Sequence, residues 1–192
     1  MTADTIDSNR ARPSPRQSRP TPGQAANRDG IGSETVLVIG LGNPLIADDS
    51  VGLRVVHSLK TDLAAYDNVD VAEDYWGGLR LMERMIGYDA AIVVDAICTG
   101  AAPGTIHHLT VDMVATQKSA SAHDVDLPTA LAFGRRAGAH LPADHNIRLV
   151  GVEAEDVTNF SDRCTPAVAA ATRPAAAQVL RLLDTMLGEQ PK

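Results

Sequence analysis

Residues 36–56, VLVIGLGNPLIADDSVGLRVV, decide how the rest of the chain is read. Residues 36–40 are an unbroken β-branched and aliphatic run, as expected of a strand covered on both faces. Val51, Val55, Leu59 and Leu63 then recur every four residues and predict a helix over about 50–65. The turn between them opens with Gly40-Leu41-Gly42 and carries two adjacent carboxylates, Asp48 and Asp49. In an open α/β sheet, ligands gather where strand ends meet helix starts. An acidic pair at that address suits a metal ion or a proton and repels a phosphate, the usual tenant of a glycine turn.

Outward from this unit the pattern alternates. Residues 68–74 (NVDVAED) predict a second strand ending in acids, and 79–86 a helix with Leu79, Met82, Met85 and Ile86 on its buried side. Residues 90–95 (AAIVVD) predict a strong central strand, 104–109 a weaker one, 126–137 a helix and 146–152 another strand. The last helix starts at Thr165 as N-cap with Pro166 in its first position. Pro174 is expected to kink or restart it, with Val179, Leu182, Leu183 and Met186 as its buried stripe. Strands alternating with helices predict one three-layer α/β/α domain over 35–188 with a mostly parallel, twisted sheet. Residues 1–34 are rich in Pro, Ser, Gly and Arg and poor in large apolar side chains, so a disordered, solvated tail is expected there.

A net charge of −7, about −8 without the tail, argues against a nucleic-acid partner, which requires clustered Lys and Arg. Cys98 and Cys164 form no CxxC pair, so neither a disulfide framework nor a structural zinc site is indicated. With no signal-peptide pattern and no bilayer-length apolar run, a cytoplasmic protein without membrane association is expected.

Four groups of residues could carry chemistry. Asp, Asn and Ser are the preferred helix N-caps, so one of Asp48, Asp49 and Ser50 is expected to cap the first helix, leaving a spare acid beside the crevice. Asp95 ends the most hydrophobic strand, and an unpaired buried carboxylate is costly. Either loop amides satisfy it, or it faces the same crevice as Asp49. Among the histidines, His123 is best placed, in a loop just before a helix; His107 and His108 lie mid-strand, at least one of them toward solvent, and His57 lies on the first helix as a surface residue. Two carboxylates and an imidazole make an N/O site for a divalent transition metal. Cys98 is expected to be a small buried hydrophobe. G-x-G-x-x-G fails at Leu45, and no G-x-S-x-G, P-loop or H-E-x-x-H motif occurs.

The blocks VLVIGLGNPLIADDSVGLRVV, VVDAICTGAAPGT and SAHDVDL, in this order, resemble the nickel-iron hydrogenase maturation proteases from about residue 36 to 187. The resemblance implies a phosphorylase/hydrolase-like α/β fold. It implies an endopeptidase that removes the C-terminal extension of a hydrogenase large-subunit precursor once the metal centre is in place. The implied metal-recognising and catalytic trio falls on Asp49, Asp95 and His123. Nickel would be supplied by the substrate, with no organic cofactor, and a monomer is expected. Three departures stand out: Ser50 after the acidic pair, Asp49 where many relatives have Glu, and Glu73-Asp74-Tyr75-Trp76-Gly77-Gly78 after strand two, where Glu73 and Asp74 both remain candidates for the acidic position. Trp76 either lines the substrate cleft or covers the core. Two rival readings are a non-catalytic nickel carrier using the same trio and an esterase resembling peptidyl-tRNA hydrolase, which also opens on a GLGNP-like turn.

Overall fold

The computed structural model describes residues 34–114 and 126–188. The expected tail therefore lies outside the described residues, apart from Glu34, and so does His123. The elements are β1 (Val36–Leu41), α1 (Val51–Leu63), β2 (Val69–Asp74), α2 (Gly78–Arg84), β3 (Ala90–Ile97), β4 (Ile106–Leu109), α3 (Val111–Val114), α4 (Leu127–Arg136), β5 (Ile147–Glu153) and α5 (Pro166–Gly188). A 3-10 turn, Asp48–Ser50, leads into α1.

The five strands form one sheet in the order β2-β1-β3-β5-β4, parallel except for β4, which pairs antiparallel with β5 at the edge. Every residue of β1 is buried, and its side chains alternate between two cores, as strand geometry requires. Val36 and Val38 pack with Val51, Val55 and Leu59 of α1 and with Val168, Val179 and Leu183 of α5. Leu37, Ile39 and Leu41 pack on the other face with Leu81 and Met82 of α2 and Leu131 of α4. Helices thus cover both faces of the sheet, as the alternation predicts. Each fully buried Val or Leu contributes about 1.5–3 kcal/mol relative to exposure, so these two seams supply most of the drive to fold.

Several expectations shift. β3 runs on to Ile97, still paired with β5, so Asp95 lies two residues inside the strand end. Leu79 and Ile86 are partly exposed, and Leu81 with Met82 and Met85 forms the inner side of that segment. α2 ends at Arg84, too short to carry the longer stripe. α5 passes through Pro174 without a restart. Burial of Val168, Ala171, Ala175, Val179 and Leu183 along one side holds the helix together across the missing N–H. Among the described residues no helix is long and apolar enough to cross a membrane.

Glycines set how closely α1 approaches the sheet. A Cβ on Gly52 would sit 2.3 Å from the Leu41 carbonyl oxygen and 2.4 Å from that of Val94; one on Gly40 would sit 2.3 Å from the Gly52 oxygen. All three obstacles are backbone, which cannot swing aside. Gly52→Ala should therefore cost about 1–3 kcal/mol, the usual range for overpacking. Urea unfolding should show a lower midpoint at unchanged slope; an unaltered midpoint would mean that α1 can retreat freely.

Candidate active site

Parallel strands bring their carboxyl ends to one edge, and this edge collects acids: Asp48 and Asp49 after β1, Glu73 and Asp74 on β2, Asp95 on β3 and Glu153 on β5. What separates them is how each charge is met.

Asp48 is fully buried and has four donors. Its Oδ2 accepts from the backbone N–H groups of Glu155 (3.0 Å) and Asp156 (2.9 Å) and from the Thr165 hydroxyl (3.0 Å), while Oδ1 accepts from the Thr165 N–H (2.7 Å). It pins the β5–α5 loop to the β1–α1 turn. Backbone bonds from Ala47 N to Asn159 O, from Asp48 N to Asp156 O and from Ser161 N to Leu45 O close the same seam. None of Asp48, Asp49 and Ser50 caps α1 by a side-chain bond, contrary to the sequence expectation: the 3-10 turn precedes the helix, and Ser50 Oγ donates instead to the Ala47 carbonyl (2.7 Å). Thr165 stands directly before Pro166, the first residue of α5, as expected, and its hydroxyl donates to Asp48.

Two further acids are equally committed. Asp74 is buried, accepts from the Tyr75 N–H (2.7 Å) and pairs with Arg84 Nε at 2.6 Å. Glu153, 2% exposed, accepts at Oε1 from the Thr99 and Gly100 N–H groups (2.7 and 2.8 Å) and at Oε2 from the Thr99 hydroxyl (2.8 Å). His107 Nε2 lies 3.3 Å from Oε2, within ion-pair range but without hydrogen-bond alignment. Burial pushes the Glu153 carboxyl up, yet the bonds from Thr99 and Gly100 and the facing His107 more than offset it, leaving it below the usual range. The sequence reading missed Glu153, although a buried strand ending in an acid was the very signal used for Asp95. Glu73, exposed by a third, pairs with Lys60 at 2.6 Å.

Asp49 and Asp95 remain. Asp49 Oδ2 accepts a bond from the Asn43 N–H (2.7 Å), and Asp95 Oδ1 one from its neighbour's N–H, that of Ala96 (2.9 Å). Neither has a cation or a hydroxyl among the described residues. Desolvation, then the negative charge of Asp49, raises the Asp95 carboxyl to about 7 against the local Ala96 bond. The charge of Asp49 thus bears on Asp95, both standing at the carboxyl edge of the sheet. Such a pair either shares a proton or receives a cation. The described residues contain no cluster of three His, Cys, Asp or Glu side chains that could hold a metal; the proposed third member, His123, lies beyond them.

Cys98 is exposed rather than buried, because it stands past the end of β3. Partial desolvation and the charges of Glu153, Asp49, Asp48 and Asp95 raise its thiol, so it is no ready thiolate nucleophile. Trp76 is 56% exposed with Arg80 stacked 5.9 Å from its ring centroid, so it does not cover the core. His57 and His108 are exposed, as expected for surface positions.

A family model described as "Hydrogenase maturation protease" matches residues 53–182, a span that includes Asp95 and starts just after Asp49. Hydrogenase 2 maturation protease of Escherichia coli K12 is 32% identical over 151 residues, covering 77% of this chain and 90% of the relative. Hydrogenase expression/formation protein HoxM of Azotobacter vinelandii is 30% identical, covering 77% and 72%. Among solved structures, the hydrogenase maturating endopeptidase HybD from E. coli superimposes with a TM-score of 0.64 at 31% identity, over 79% of this chain and 93% of that one.

Two outcomes follow from the charge distribution. Asp48→Ala would leave buried N–H groups without an acceptor, and at about 1–3 kcal/mol for such a loss the melting temperature should fall by several degrees; an unchanged melt would show that the seam is held by its backbone bonds alone. For Asp95, the folded carboxyl lies above its ordinary value of 3.8, so stability is full below about pH 4 and declines as pH rises through about 7. In protein freed of divalent cations, Asp95→Asn should lose that decline between pH 5 and 8, and parallel curves for both proteins would contradict the shift.

Proposed function

The chain belongs to the hydrogenase maturation protease family and is an endopeptidase, and we propose that its substrate is the precursor of a nickel-iron hydrogenase large subunit. In this reading the enzyme removes the precursor's C-terminal extension after metal insertion. Nickel already lodged in the precursor is the feature recognised, so the metal arrives as part of the substrate. Asp49, Asp95 and His123 are the residues assigned to it.

The observation that carries the reading is the division of labour among the acids. Asp48, Asp74 and Glu153 are each held by fixed donors, whereas Asp49 and Asp95 have one N–H apiece and the charge of Asp49 raises the proton affinity of Asp95. Such a pair is unfavourable when empty and favourable around a divalent cation, which suits a site that must discriminate loaded from unloaded substrate. Hydrolysis then needs a water to attack the scissile carbonyl, a base to take its proton and an acid to protonate the leaving amine. Asp95, whose carboxyl is raised to about 7 while no cation is bound, is the group suited to that transfer. Polarisation of the carbonyl by the substrate's metal would lower the barrier further. A carrier would need no scissile-bond geometry, and the relatives whose names state an activity are proteases or endopeptidases.

Purified protein mixed with a nickel-loaded large-subunit precursor should yield mature subunit and a released peptide. Unchanged precursor would favour the carrier. Asp49→Asn and Asp95→Asn should each reduce processing by about a hundredfold or more, the scale expected when a metal-contacting or proton-transferring group is lost, while Asp49→Asn leaves the melting temperature near wild type. Retained processing with a collapsed melt would reassign Asp49 to structure.

A further inference from the structure

Outside the acidic edge, a groove of about 760 Å3 crosses the outer face of the first half of α1. Its size is within the usual range for ligand sites, roughly 300–1,000 Å3. Pro44, Leu53, Tyr75 and Ala169 give it apolar walls, Arg54 and Arg163 bring two guanidinium groups to it, and the one carboxylate in its lining, Glu73, is paired with Lys60 at 2.6 Å. The groove begins at the catalytic turn: Pro44 follows Asn43, whose N–H binds Asp49, and Ser50, also in the wall, follows Asp49 in the chain.

Arg54 is the informative residue. Its Nε donates to Ser50 Oγ (2.9 Å) and its Nη2 to the Asp162 carbonyl, both neutral acceptors. Among the described residues no carboxylate lies within ion-pair distance of it, although the chain carries a net charge of −7. The neighbouring Arg163 has Asp162 at 3.7 Å, with both side chains almost fully exposed, a pair worth little. A half-buried guanidinium held in place by neutral acceptors, at the wall of an apolar groove, is arranged for an incoming anion. The occupant must then be extended, largely apolar and anionic at one point. It must also be able to reach the scissile site.

We propose that this groove binds the C-terminal end of the precursor, with the free terminal carboxylate on Arg54 and Arg163. The terminal carboxylate is the one anion that every C-terminal segment carries whatever its sequence. The proposal rests on the protease reading above and adds to it the subsite that holds the portion to be released. It gives the enzyme a second anchor, independent of the metal. Apolar contact supplies affinity, and the carboxylate sets which end of the peptide is accepted.

The test uses the full-length protein and a fluorescein-labelled synthetic peptide with the C-terminal sequence of the large-subunit precursor from the same organism, read by fluorescence anisotropy. Ala169 is exposed, so Ala169→Trp obstructs the groove without disturbing the core. We expect Ala169→Trp to weaken the peptide about tenfold or more, and the C-terminally amidated peptide to bind wild type more weakly by a similar factor. The double variant Arg54→Gln, Arg163→Gln should bind the free-acid and amidated peptides alike. In processing assays, the loss in Ala169→Trp should fall on KM rather than kcat. Equal binding to wild type and Ala169→Trp, indifference to amidation, or no binding to wild type would each overturn the proposal. Should the precursor be cut normally while the peptide ignores these changes, only the groove assignment fails. Should the peptide bind as described while the precursor stays intact, the groove stands and the protease reading fails.

Discussion

Backbone contact between the β1–α1 unit and the strands beneath it is the constraint on which the site depends. Gly40 and Gly52 face each other with no room for a methyl group, and Gly42, at φ 137°, would drive a Cβ to 1.8 Å from the Asp49 carbonyl oxygen. That conformation is open to glycine at little cost and to other residues only with strain. Because the backbones meet directly, the start of α1 rests against Leu41 of β1 and Val94 of β3. Asp49 and Asp95, well separated in the chain, are thereby brought close enough for one charge to raise the other's proton affinity. A looser approach would let the carboxylates part and hydrate, and the repulsion that makes the site receptive would vanish.

Holding two acids in mutual repulsion costs stability, and the surrounding acids show how the fold supports it. Asp48, immediately before Asp49, is the most fully satisfied carboxylate at this edge, and its donors come from the β5–α5 loop. Asp156 strengthens the same loop from within. The N–H groups of Asn159 and Thr158 and the Asn159 side chain hold its carboxyl near 2. Glu153 performs the corresponding task for the segment after Asp95, binding Thr99 and Gly100. Asp49 and Asp95, both partly buried, thus each stand near a buried acid that fixes the neighbouring chain.

Much of this was legible in the sequence, for physical reasons that also mark where legibility stops. Parallel strands covered on both faces read as unbroken aliphatic runs, so residues 36–40 and 90–95 announced themselves. Asp95 stood out because a carboxylate in such a run has no local reason to be there. The structural role of Asp48 did not, because its partners Glu155, Asp156 and Thr165 are more than a hundred residues away, while the familiar N-cap explanation lay at hand. Local pattern favoured local roles. Glu153 escaped for a different reason: its strand, IRLVGVE, contains an arginine and a glycine and so looked less buried than it is. The helix stripe through Leu79 and Ile86 failed because α2 is too short for four positions to share one face.

If the acidic edge recognises a metal as proposed, the same division would make it selective. If every carboxylate there were free, a cation could settle in many arrangements, each loosely held, and a loaded substrate would be hard to tell from hydrated metal. Fixed donors remove Asp48, Asp74 and Glu153 from that competition before any cation arrives. What is left is a pair with one bond each, on backbone whose position the glycine contact fixes. Affinity for a bare ion is then limited by having too few ligands. In the reading proposed above, a metal already dressed by its own protein would need only the few contacts that such a pair can add, and scarcity of ligands would then work as discrimination rather than as a defect.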